Sequence, residues 1–135
     1  MIQQGSGVMI RALRGSATSA AVVQAALGKT IAALSLNSKD NALHFEFTDG
    51  SKMRLADEGQ ACCERRYMRT DDALSDFVGS VLVRLEVKDG PDVRADETHN
   101  VQFLAVTTSK GVLTMVNHNE HNGYYGGFSL EAAAE

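Results

Sequence analysis

The stretch from Ala42 to Ala56 constrains the fold more tightly than any other part of the chain. Leu43, Phe45 and Phe47 alternate with His44, Glu46 and Thr48, the period of a half-buried strand. Asp49-Gly50 follows, the strongest short hairpin signal, because glycine takes the positive φ that such turns demand. Ser51–Ala56 then returns with Met53 and Leu55 on the apolar side.

Other segments add strands to that hairpin. Thr30–Leu36 reads as a strand, with Asn37–Asn41 as a turn. Cys62–Arg69 reads as a short strand or extended segment. Val81–Lys88 is a strand, and Asp89–His99, with Gly90-Pro91, is a polar exposed loop. Val101–Thr108 and Val112–Asn117 form a second hairpin around Ser109-Lys110-Gly111. Tyr124–Leu130 makes a last strand. Ala17–Leu27 predicts a short helix, with Thr18 or Ser19 as its cap and Gly28 just past its end. Thr70 or Asp71 caps a second short helix through Phe77, with Leu74 and Phe77 at helical spacing and Gly79 at the end. The expected class is α+β: a mostly antiparallel sheet of about six strands with two short helices. Residues 1–26 read as a basic, helical N-terminal extension, and residues 27–135 as a single α+β ligand-binding domain.

A length of 135 residues suits one domain with its own core. No apolar run is long enough to span a bilayer. The net charge of −4 argues against a general nucleic-acid coat, which needs a basic face to displace counterions. That charge is unevenly spread. Residues 1–39 hold no Asp or Glu, and all seventeen acids lie from Asp40 onward. The basic head either pairs with the acidic body of another subunit or is a weakly constrained extension. Cys62 and Cys63 are adjacent, so a bond between them would strain the peptide, and reduced cytosolic thiols are the simplest reading.

Two segments carry unusual chemistry. His118–Gly127 packs histidine, asparagine, glutamate, tyrosine and glycine together. Asn117, His118, Asn119, His121 and Asn122 offer hydrogen bonds to a heterocycle edge, and Tyr124 and Tyr125 offer stacking faces. The competing reading is a glycine turn with aromatics pinned to the core. The second segment brings Arg65, Arg66 and Arg69 together in an acidic protein, and arginine forks suit phosphates. Its competing reading is a solvated face paired with nearby carboxylates. Arg84, inside a strand, either reaches the edge or points into a site.

Catalysis is poorly supported. No nucleophile elbow, P-loop or dinucleotide fingerprint occurs. A cysteine–histidine pair lacks an orienting third group. His118, Glu120 and His121 invite a metal-dependent hydrolase, but the adjacent cysteines do not have zinc-ligand spacing. The expectation is no catalytic residue, no metal and no cofactor.

Leu-Gly-Lys-Thr-Ile at 27–31, Thr-Asp-Gly at 48–50, Cys-Cys-Glu at 62–64, Val-Gly at 78–79 and Asn-Gly-Tyr-Tyr at 122–125 occur in an order that resembles the small phage Thoeris anti-defence sponge family and its uncharacterised phage relatives. The resemblance spans roughly residues 27–131. It implies sequestration, without cleavage, of a cyclic ADP-ribose immune signal or of cyclic oligonucleotides in the host-cell cytoplasm. It also implies a homo-oligomer with pockets between subunits. The longer basic head and the two histidines around Asn119-Glu120 depart from the pattern and bear on ligand identity; the matched motifs do not fix pocket positions, so no family binding residue is carried over. The alternative is a protein–protein inhibitor of a host defence complex, an acidic mimic of the anti-CRISPR kind.

Overall fold

The computed structural model describes residues 10–13, 17–37, 41–58, 65–89, 99–120 and 128–135. Nine strands form in chain order among them. They are β1 (Ile10–Ala12), β2 (Ile31–Asn37), β3 (Ala42–Phe47), β4 (Lys52–Asp57), β5 (Arg65–Arg69), β6 (Leu82–Asp89), β7 (His99–Thr108), β8 (Gly111–Glu120) and β9 (Leu130–Ala134). One helix, α1 (Ala17–Ala26), lies between β1 and β2. The strands make two sheets, ordered β1-β6-β7-β8-β5 and β2-β3-β4-β9, and every pairing is antiparallel.

The α+β, mostly antiparallel expectation holds, with corrections to the count. Nine strands in two sheets replace about six in one. The second expected helix is a single 3-10 turn, Leu74–Phe77. Ser19 lies inside the first turn of α1 rather than at its cap. The central hairpins fall where the alternation puts them. Gly50 has φ 89° at the tip of β3–β4, and Thr108 faces Gly111 across the β7–β8 turn. The β7–β8 hairpin is longer than its sequence signal, because His99, Asn100 and His118–Glu120 all join the ladder.

The two sheets share one apolar core. Phe45, Phe47, Met53 and Leu55 come from the four-stranded sheet, and Leu85, Leu104, Val106, Leu113 and Met115 from the five-stranded one. Two layers, each apolar on its inner face, bury those faces against each other. Leu13, Val23 and Ala26 join the same core, so β1 and α1 are packed into the body. Residues 28–31 and 79–82 stitch the layers together through Gly28 N–H to Leu82 O (2.8 Å) and Ile31 N–H to Ser80 O (2.8 Å). No helix among the described residues is long and apolar enough to cross a membrane.

Candidate functional site

Strand β5 is an edge strand, and β8 is its one neighbour. Their register sets Arg65 opposite Glu120, Tyr67 opposite His118 and Arg69 opposite Val116. Successive side chains on a strand point to opposite faces. Arg65, Tyr67 and Arg69 therefore share the outer face with His118 and Glu120. Arg66 and Met68 share the inner face with Asn117 and Asn119. The three arginines read as one cluster in the sequence are divided by this pleat.

On the outer face the Tyr67 and His118 rings stack, with centroids 4.6 Å apart and planes 9° from parallel. The guanidinium carbons of Arg65 and Arg69 lie 4.6 and 5.1 Å from the Tyr67 ring centre, within cation–π range. His99, beside Glu120 on β7, places Nε2 2.9 Å from His118 Nδ1. One ring must donate and the other accept, so at least one imidazole is neutral. The Tyr67 hydroxyl donates a short hydrogen bond to Glu120 Oε2, and Arg65 approaches Glu120 Oε1 at 3.7 Å.

These contacts set the ionisation of the cluster. Burial pushes the Tyr67 pKa up, and the bond to Glu120 adds to the shift. That bond holds the Glu120 carboxyl below its ordinary range, with Arg65 helping. Burial lowers the His118 pKa, and His99 and Arg69 lower it further. Near neutral pH the outer face thus carries a neutral His118, an ionised Glu120 and two arginines.

The inner face is sealed. Arg66 and Asp57, from opposite sheets, form an ion pair at 2.7 Å with both side chains 7% exposed. Asp57 Oδ1 also accepts the Ser129 N–H at 3.0 Å. Asn41, at φ 50°, donates to the Arg66 carbonyl at 2.7 Å. Asn117 donates to Gln102 Oε1 at 3.4 Å, while its own Oδ1 finds no hydrogen-bond partner. Asn119 is fully buried beside it. The lower end of the interior is therefore polar, where the rest is aliphatic.

A cavity of about 410 Å³ runs along β5, lined by Asn41 and Arg65–Arg69. It borders both clusters and opens at the sheet edge. Arg84 lies elsewhere, three strands from β5, exposed and 3.1 Å from Glu86. His121, Asn122, Tyr124 and Tyr125 lie outside the described residues, as do Cys62 and Cys63. Among the described residues no group of three or more His, Cys, Asp or Glu is arranged to hold a metal ion. Sequence reasoning passed over Tyr67, His99 and Gln102; Asp57 was among the carboxylates weighed as partners of the arginines on a solvated face, and the pair it makes with Arg66 is buried instead. Tyr67 was legible from the alternation Arg-x-Tyr-x-Arg on a strand, but His99 meets His118 solely through the β7–β8 register.

No curated protein and no solved structure matches the chain. One family model, described as a domain of unknown function (DUF7448), does match, and it covers residues 24–130. With most of its length inside that match, the chain belongs to the DUF7448 family.

Proposed function

We propose that this protein binds and sequesters a phosphate-bearing cyclic nucleotide without cleaving it, as a phage counter-defence sponge in the host cytoplasm. The observation that carries the reading is the Arg65–Tyr67–Arg69 arrangement beside the β5 cavity. An aromatic ring flanked by guanidinium groups offers a base a stacking surface and a phosphate a fork of donors. Both arginines sit on a strand, which fixes their spacing before a ligand arrives and lowers the ordering cost of binding.

The same cluster is a poor catalytic machine. Glu120 is tied to Tyr67 and Arg65 and is a weak base at its lowered pKa. His118 is stacked on Tyr67 and bonded to His99 rather than to a nucleophile. General-base catalysis needs a group within reach of the substrate proton and with a pKa near working pH.

Calorimetry with glycocyclic ADP-ribose and a panel of cyclic di- and trinucleotides tests the reading. Binding with ligand recovered intact after denaturation is the expected result. No heat with any of them removes the reading. A stoichiometric host protein captured from lysate, with no small molecule released on heating, would transfer it to a protein inhibitor.

A further inference from the structure

His99 Nε2 and His118 Nδ1 face each other at 2.9 Å on the outer face of β7 and β8. A neutral imidazole carries one ring hydrogen, so one of the two facing nitrogens donates and the other accepts. The two rings are held differently. His118 is stacked on Tyr67, with the planes 9° apart. The His99 ring is tilted 38° to that of His118. The registered pairs of β6 with β7 end at Asp89 opposite Gln102, short of His99. His118 is therefore the anchored ring, and rotation of His99 would part the two.

The charge around the pair favours an anion. Among the described residues, Arg65, Tyr67 and Arg69 reach this face from β5, and Glu120 from β8. Lys88, opposite Phe103, shares the face on β6, with Arg84 and Glu86 paired farther along that strand. Glu120 is the one acid beside the histidines, and its two oxygens are engaged by Tyr67 and Arg65. In the free protein, burial first and then His99 and Arg69 disfavour the charged form of His118, while Glu120 favours it. An anion between the rings tips that balance, because an opposite charge within about 4–6 Å stabilises imidazolium.

We infer that His99 and His118 part to take a phosphate oxygen between their facing nitrogens, and that the anion binds together with one proton. The proton comes from solvent and adds to the facing nitrogen that had been the acceptor. Both facing nitrogens then donate, one from an imidazolium and one from a neutral ring. The bond between the rings is exchanged for two bonds to the anion, one of them charge-assisted. Arg65 and Arg69 supply further donors, and Tyr67 stays between them. The inference rests on reading the outer face as a phosphate site. It adds His99 to that site and makes its affinity depend on pH.

The probe is inorganic sulfate, a tetrahedral anion that takes up no proton near neutral pH, so any proton gained on binding belongs to the protein. Its affinity for the full chain is read by NMR titration between about pH 8 and about pH 6. The bound state holds one proton more than the free state, so affinity should rise on acidification, by up to about tenfold per pH unit. His99→Gln keeps both arginines and Tyr67, and it should bind sulfate with an affinity that hardly moves with pH. His118→Gln serves if His99→Gln misfolds, and circular dichroism checks each. Sulfate affinity independent of pH overturns the inference, as does absence of sulfate binding at about pH 6 or a pH slope that both variants keep. Sulfate binding with the expected slope, but no heat from any cyclic nucleotide, supports the histidine pair and removes the sponge reading. Nucleotide binding with no sulfate slope does the reverse.

Discussion

Strands β5 and β8 show two faces built from one kind of residue. On the inner face Arg66 is enclosed with Asp57, and both are almost wholly removed from solvent. On the outer face Arg65 is two-thirds exposed and leans on the Tyr67 ring. A buried arginine must spend its donors on a carboxylate, because an unpaired charge in the interior is costly. An arginine over an aromatic ring in water keeps donors for whatever arrives. The difference teaches that arginine count in a segment says little. The pleat decides which cations can meet a ligand and which hold two layers together.

The sharpest way to break this comparison is Arg66→Ala. It leaves Asp57 buried without its cation, and urea unfolding should show a loss of about 3–5 kcal/mol. A loss below about 1 kcal/mol would mean that the inner pair is no structural lock. On the other face Tyr67→Ala should leave the fold in place and weaken nucleotide binding by about 1–3 kcal/mol, read by calorimetry. Unchanged affinity would detach the outer cluster from ligand recognition. Asn117→Leu removes a buried oxygen that has no partner and also strips Gln102 of a donor. These effects oppose, so stability should move by no more than about 1 kcal/mol. Arg65→Ala and Arg69→Ala should change unfolding free energy by less than about 0.5 kcal/mol while still weakening binding.

A pH series probes the outer face more gently. The folded His118 pKa lies below the ordinary 6.5, so the unfolded chain binds that proton more readily. The stability tied to neutral His118 is complete well above pH 6.5 and is lost as pH falls below it toward the folded value. Wild type should therefore lose stability as pH falls below about 6.5, and His118→Gln should lose less. Parallel slopes for the two proteins would remove His118 as the titrating group.

Where apolar and polar residues alternated beside a strong turn, the sequence was easy to read. The β3–β4 and β7–β8 hairpins are the cases, with Asp49-Gly50 and Lys110-Gly111 as their tips. The second layer was not legible, since alternation gives a strand its faces but not its neighbours. β1, at three residues, is too short for a periodic signal. The segment around Leu74 has helical spacing but room for one turn only. In the candidate site, Arg65, Arg66, Arg69 and His118 were picked out by residue type. Their division between faces followed from the strand assignment of Cys62–Arg69 and was not drawn. Asp57, at the end of β4 and nine residues before Arg66, was within view as a nearby carboxylate, but its burial between the sheets was not, and His99 reaches the site through a strand register that no local pattern encodes.

Ser19 and Ala132 are 113 residues apart in sequence, yet one hydroxyl closes the β9 edge. During synthesis α1 leaves the ribosome long before the strand it guards. Until β9 arrives, β4 has no outer neighbour and the helix has nothing to cover. Closure of this layer is therefore a late event, and long-range closure of this kind slows folding. The nascent chain carries the open edge of β4 until β9 emerges, and that interval is when it is most exposed to misassembly.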